Sequence, residues 1–569
     1  MNTKAQYAAL AEPHLSPIGP SVALQDCVFL SLIVSLSLVL YIRNLGLYSD
    51  DWHFLGLLTN SNDQSLAGLL RSVIPYTRLR PIESLYVAGL YWLFGFQPFQ
   101  YHLVNAAVFI ATILLFYLSL RELIGLRVFT VAIPLVYAML PHYSSDRLWF
   151  IAFVISLSIT FYFLSLYSDL IAVRTKKSHF WKWKLFSAIA LLCSGLAYEV
   201  VLPLFLLNPF LVWIRARQVN EKRLALRALA VSLATNILAM SLVAIYKILT
   251  ARGEPDLFVH RMGIETDYSS HLLRLAVGAV GVNYGSYGIA LPLKVAKVFR
   301  YYSTPSVLAV AVAIGLLVFA YLYRASARRG FDFHTEGAYF RLMAVGCIVF
   351  VLGYIIFLTN SQVGFTSTGV KNRSAIAAAL GVAISFVATI GWISWMLPSD
   401  RLRRYTLSLL ISLLCVSGFL INNTIARFWV DASRQQQKVI DAVRLGFPIL
   451  APDTTLILDG VCPYYGPGIV FECYWDVGGM LKTYYHDSSL SGDIVKRNIK
   501  IEEEGLYTII YGEKKLYPYG DNLILFHFGL NESYKLIDAG TARRYFQEIN
   551  PDYKNRCPEG SEGYGAEIF

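Results

Sequence analysis

The chain has 569 residues, 56% of them hydrophobic and only 15% charged, with a mean hydropathy of +0.50. Apolar runs recur along most of its length, which excludes a soluble globular enzyme and a disordered chain and leaves a polytopic membrane protein. The 49 Lys and Arg against 38 Asp and Glu do not form a nucleic-acid-binding patch, because much of the excess sits in short clusters between apolar runs, where positive charge keeps loops cytoplasmic.

Residues 1–25 carry one lysine and several prolines, unlike the charged start of a secretory signal, and no cleavage site follows the first apolar run at 24–42. That run is expected to stay as the first membrane helix, with the N-terminus cytoplasmic. Directly after it comes "LYSDDWHFLG", which sets Asp50 and Asp51 side by side, then Trp52, His53 and Phe54. The next apolar stretch, 82–96, is short for a crossing. With Pro81 suited to a first helical turn and Tyr86, Tyr91 and Trp92 as anchors, it is expected to lie in the interface.

Four basic clusters then punctuate the chain: "RTKKSHFWKWK" from Arg174, "RARQVNEKRLALR" from Arg215, "RASARR" from Arg324 and "RLRR" from Arg401. Spans of roughly 17 to 25 residues between them give about eleven helices, and all four clusters then fall on the cytoplasmic side. The outer face receives loops 45–100, 141–148, 198–199, 250–303, 360–374 and everything after 422. From Pro452 the apolar stretches "TTLILD", "YTIIYG" and "NLILFHF" are too short to span and read as strands. The expected fold is therefore mainly α, with a transmembrane domain at 1–422 and a small α+β extracytoplasmic domain at 423–569, joined through a polar helical pattern at 425–450. Cys27, Cys193, Cys347 and Cys415 sit within apolar runs. Cys462 and Cys473 are the expected disulfide pair if their segment lies outside the cytoplasm.

The expected outer face collects carboxylates. Asp50 and Asp51 are joined there by Asp146 in "PHYSSDRLW" and by Glu199 in "GLAYEVVLP", an acid that interrupts an apolar stretch and should face a cavity with His53. Cations gather on the same face: Arg78 and Arg80 before the interfacial stretch, and Lys371 and Arg373 in "GVKNRSA". Those last two either snorkel to lipid phosphates or recognise a substrate phosphate. Carboxylates beside phosphate-binding cations suit transfer chemistry on a lipid phosphate, the carboxylate taking a proton from an acceptor hydroxyl while cations steady the departing phosphate. No P-loop, nucleophile-elbow serine or HExxH motif is present.

"YSDDWHF" followed by "RLRPIESLYVAGLYWLFGFQPFQYHLVNAAVF" resembles the start of the GT-C class of integral membrane glycosyltransferases, the group of protein O-mannosyltransferases and the lipid A aminoarabinose transferase. The resemblance is most specific over residues 48–122 and fades toward the last helices. It implies a multi-spanning enzyme of the cytoplasmic (inner) membrane that takes a sugar from a polyprenyl-phosphate donor at the extracytoplasmic, periplasmic face and passes it to a cell-envelope acceptor. Asp50 aligns with the first acid of the family's pair and would be the base. Asp51 aligns with the second, and Asp146 occupies the place of a further acid in the second outer loop. Arg80, Lys371 and Arg373 would meet the donor phosphate. A carboxylate cluster at a phosphate is compatible with a divalent cation such as Mg²⁺ or Mn²⁺, a need the sequence leaves open. The tyrosines Tyr464, Tyr465, Tyr484 and Tyr485 either stack on sugar rings or serve as core residues. A flippase of lipid-linked sugars is the competing reading, and it requires ionisable groups near mid-membrane in several helices.

Overall fold

The computed structural model describes residues 19–175, 177–219, 222–251, 268–327, 336–359, 363–510, 513–555, 557 and 568. Parts of the expected N-terminal segment, of three basic clusters and of the outer loops at 250–303 and 360–374 lie outside these residues. Ten helices among them are long and apolar enough to cross a bilayer. An eleventh span arises if Arg127–Met139 and Pro141–Leu148, which meet at a 46° bend, count as one.

Ion pairs and polar contacts tie the helix ends together in separate groups. In one, Glu122 pairs with Arg174 at 2.8 Å and Arg215 at 2.7 Å, and Asp26 pairs with Arg127 at 2.6 Å. In another, Arg80 pairs with Glu199, the Asn372 side chain accepts from the Ser145 backbone N–H at 3.2 Å, and His142 meets the carbonyl of Asn283 at 3.0 Å. The bend has a local cause. Pro141 has no N–H to continue the helix, so carbonyls near the break lose their partners. Asn422 Nδ2 donates to the Met139 carbonyl at 2.8 Å and Arg147 Nη2 to that of Leu140 at 2.7 Å. Irregular backbone is tolerated at membrane depth only where it is buried in protein and satisfied in this way, and residues 141–148 are all buried.

Three short helices fill the loop 45–100: Asp50–Thr59, Leu66–Thr77 and Pro81–Phe94. The last has Pro81 in its first turn and 14 residues, about 21 Å of rise, too short for a hydrocarbon core of about 30 Å. Trp92 and Leu93 remain exposed on it, as an interfacial helix would leave them. At the other extreme, Asp400–Gly446 runs unbroken for 47 residues, about 70 Å. The expected domain boundary at 422/423 thus falls inside a continuous helix that carries the chain from the bundle into the C-terminal region.

That region has a four-stranded sheet in the order Ser491–Ile494, Thr455–Asp459, Leu523–His527, Glu532–Lys535. The first three strands are parallel and the last is antiparallel. Leu456, Ile457 and Leu458 are all fully buried, as expected of a central parallel strand covered on both faces. The disulfide is a correction: Cys462 is joined to Cys557, with Cα atoms 5.5 Å apart, and not to Cys473. Cys473 caps the helix Tyr474–Tyr485 and is a buried free thiol, so its sulfur faces the core of the region instead of Cys462.

The helix Tyr474–Tyr485 packs directly on Asp50–Thr59. Glycines allow it: a Cβ on Gly479 would lie 2.2 Å from the carbonyl oxygen of Trp52, and one on Gly56 would lie 2.9 Å from the carbonyl oxygen of Gly479. The strand-bearing region is therefore seated on the acidic loop. Peptide mapping after thiol trapping is expected to recover Cys462 linked to Cys557 with Cys473 free. Cys557→Ser, by releasing a loop of 95 residues, should destabilise that region by about 2–4 kcal/mol, read as a lower thermal midpoint in detergent.

Candidate active site

Residues 48–51 form a tight turn fastened from several directions. The Tyr48 hydroxyl donates to the carbonyl of Trp429 at 2.9 Å and accepts from the N–H of Gly46 at 3.0 Å. Trp149 Nε1 donates to the Tyr48 carbonyl at 2.9 Å, and the Asp51 N–H closes the turn on the same carbonyl at 3.0 Å. Ser49 has φ 46° and ψ −116°, the conformation of the first central residue in a type II′ turn, where glycine is the usual occupant. A side chain there costs about 1–3 kcal/mol. The Ser49 hydroxyl donates to Glu472 Oε2 at 3.1 Å and accepts from Trp475 Nε1 at 3.0 Å.

The two aspartates separate at this turn. Asp51 is fully buried, and its carboxylate accepts from the N–H groups of Tyr48 at 2.8 Å and Ile151 at 2.9 Å. Burial pushes its pKa well above the usual carboxylate range, against the pull of those two donors. It is a clasp between the turn at residues 48–51 and the segment that follows the short helix Ser144–Leu148. Asp50, one residue earlier, lines a cavity of about 460 Å³.

His53, Tyr76, Arg78, Arg80 and Glu83 share the cavity wall with Asp50, while Tyr474 and Trp475 close it from the C-terminal region. Arg80 is held in place: Glu199 accepts from its Nε at 3.1 Å and its Nη2 at 2.7 Å, and its guanidinium stacks 3.9 Å over the ring of Tyr198. Lys247 Nζ reaches the same carboxylate at 3.0 Å, so two cations share Glu199. His53 meets the ring of Tyr76 edge-on at 4.8 Å. Burial, helped by the charge of Lys482, lowers its pKa to about 4, which makes it a neutral imidazole at physiological pH.

The candidates named from the sequence thus divide. Asp50, His53 and Arg80 meet at the cavity, with Glu199 behind Arg80. Asp51 stands behind the turn. Asp146 is fully buried in the short helix Ser144–Leu148, with neither carboxylate oxygen hydrogen-bonded among the described residues. Lys371 and Arg373 belong to the turn Val370–Ala375 and are not on the cavity wall. Arg373 nevertheless lies 4.9 Å from the ring of Trp149, whose indole N–H holds Tyr48. Among the described residues, no three His, Cys, Asp or Glu side chains are grouped to hold a metal ion. Of the four tyrosines, Tyr464 donates to Glu472 Oε1 at 2.6 Å and Tyr485 to the carbonyl of Phe447 at 2.5 Å, both as internal contacts. Tyr484 packs near Trp52 and Phe96, and Tyr465 is exposed beside Phe428. Sequence reasoning missed Ser49, Glu472, Tyr474 and Trp475, since nothing local ties Ser49 to residues more than 420 positions away.

No family model and no curated protein matches the chain. Among solved structures it is similar to ArnT from Cupriavidus metallidurans bound to undecaprenyl phosphate, with 13% identity and a TM-score of 0.35 over 76% of this chain and 82% of that one. It is also similar to the oligosaccharyltransferase of Archaeoglobus fulgidus in complex with Zn and sulfate, with 14% identity and a TM-score of 0.37 over 81% of this chain and 61% of that one.

The histidine yields a pH prediction. An unfolded His takes its proton near pH 6.5, whereas folded His53 refuses it until about pH 4. Stability is therefore expected to fall as pH drops through that window and to level off below it. His53→Asn should reduce the slope, measured as the thermal midpoint in detergent between pH 7 and pH 4.

Proposed function

We propose that the chain is a glycosyltransferase of the cytoplasmic membrane that moves a sugar from a polyprenyl-phosphate donor to a cell-envelope acceptor at the extracytoplasmic face. The observation that carries this reading is the placement of Asp50 on a cavity in the loop that follows the first membrane helix, together with two arginines and four aromatic side chains, Phe54, Tyr76, Tyr474 and Trp475. Asp50 takes the proton of the acceptor's nucleophilic group as that group bonds to the anomeric carbon. The bond from that carbon to the phosphate oxygen breaks, and the polyprenyl phosphate departs with the electron pair. Arg78 and Arg80 supply positive charge on the side where that oxygen becomes anionic. The aromatic rings offer flat apolar faces to the sugar. Neutral His53 is a hydrogen-bonding group that adds no charge.

The transporter reading requires ionisable groups near mid-membrane in several helices. Two acids within spans are instead tied to partners on neighbouring helices. Asp169 pairs with Lys184 at 2.9 Å and accepts from Ser232 at 2.9 Å, and Asp26 pairs with Arg127 and accepts from Tyr117 at 2.7 Å. They fit interhelical ties better than a relay.

The test uses purified protein in detergent, an undecaprenyl-phosphate-linked radiolabelled sugar and a cell-envelope extract as acceptor. Asp50→Asn is expected to lower transfer by about 10²–10⁴-fold. Full transfer by this variant would remove the mechanism.

A further inference from the structure

We propose that Glu472 and Trp475 of the strand-bearing C-terminal region are positioning residues for Asp50, acting by holding Ser49 in its glycine-like backbone conformation. This rests on the reading of Asp50 as the base, and it makes the C-terminal region part of the catalytic apparatus.

The argument begins with the torsion. Ser49 precedes Asp50 directly, so its φ and ψ set the direction in which Asp50 leaves the turn. At φ 46° and ψ −116°, a serine left to itself relaxes to negative φ, and that rotation would carry Asp50 away from the cavity. The bundle anchors the residues on either side: Trp149 and Trp429 hold Tyr48, and the N–H of Ile151 holds Asp51. Both hydrogen bonds of the Ser49 hydroxyl run instead to the C-terminal region, one to Glu472 and one to Trp475. Residues 48 and 51 are thus fixed by the bundle, and the strained residue between them by the C-terminal region.

The two holding groups are themselves braced. Glu472 is 7% exposed, and its other carboxylate oxygen accepts from Tyr464 at 2.6 Å. Its N–H donates to the buried carboxylate of Asp476, which also accepts from Cys473 N–H at 3.0 Å. Trp475 lines the same cavity as Asp50, so one indole both bonds the turn and faces the space where substrate would sit. A region needed only for docking already has the glycine contact between Gly479 and Trp52, and that contact requires no polar groups aimed at Ser49.

The experiment compares wild type, Glu472→Ala, and Ser49→Gly combined with Glu472→Ala, all as full-length protein in detergent. In the transfer assay with the undecaprenyl-phosphate-linked sugar, Glu472→Ala is expected to lower kcat by about 10- to 100-fold with the donor KM unchanged. The double variant should regain turnover over Glu472→Ala, because glycine adopts the required torsion without the lock. Hydrogen exchange by mass spectrometry without substrate should show faster exchange over residues 48–52 in Glu472→Ala, with the helix Tyr474–Tyr485 still protected. If Glu472→Ala releases that helix too, Trp475→Phe, which deletes the indole N–H, takes its place with the same expectations for exchange and for rescue by Ser49→Gly. The proposal is overturned by unchanged exchange over residues 48–52 with the region docked, or by a double variant no better than the single. Absence of transfer by wild type would strike the glycosyltransferase reading alone, leaving the exchange result to decide the positioning role.

Discussion

A serine held at φ 46° is the constraint on which the site depends. That backbone state cannot persist on local preference, since every L side chain except glycine's absent one disfavours it. It persists because groups from three places over-determine the turn: Trp149 after the short helix Ser144–Leu148, Trp429 on the helix Asp400–Gly446, and Glu472 with Trp475 in the C-terminal region. The outcome is a division between neighbours. Asp51 turns inward to clasp two backbone N–H groups, and Asp50 is left on the cavity wall. Adjacent acids in a sequence suggest one duplicated role, but on a helix's first turn they point in different directions and meet different surroundings.

The rest of the architecture can be read as support for that turn. The break before Pro141 redirects the chain so that Trp149 and the N–H of Ile151 reach residues 48–51. Such a break survives in a bilayer only because Asn422 and Arg147 satisfy the freed carbonyls. The helix Asp400–Gly446 supplies Asn422 at the break and Trp429 under the turn, seven residues further along one face. It then delivers the strand-bearing region to the spot where glycines at 56 and 479 admit close backbone contact. One continuous helix thereby links the membrane bundle, the acidic loop and the C-terminal region.

Positive charge at the cavity is arranged with similar economy. A guanidinium beside a carboxylate and over an aromatic ring loses little freedom when substrate arrives. Arg80, gripped by Glu199 and stacked on Tyr198, is in that state already. Lys247 shares that carboxylate, and Glu83 lies 3.9 Å from Arg80. His53, neutral because it is buried, adds a polar edge without competing for an anionic group.

Much was legible in the amino-acid order alone, because the quantities involved are local. Span length, the apolar content of each run, the placement of Arg174, Arg215, Arg324 and Arg401, and the shortness of the stretch after Pro81 are properties of contiguous residues, and they suffice for a membrane bundle with two unlike ends. The prominence of Asp50, Arg80 and Glu199 was legible for the same reason, since a charge at the edge of an apolar run stands out. Pairings across long separations were not. Cys462 chose Cys557 over the nearer Cys473 because helix capping turned Cys473 inward. Glu472 and Trp475 meet Ser49 through the docking of a region whose position no local pattern encodes. Composition and periodicity determine which segments enter the bilayer; only the tertiary structure decided which of two adjacent aspartates faces the cavity, because that choice rests on one strained torsion held by residues hundreds of positions away.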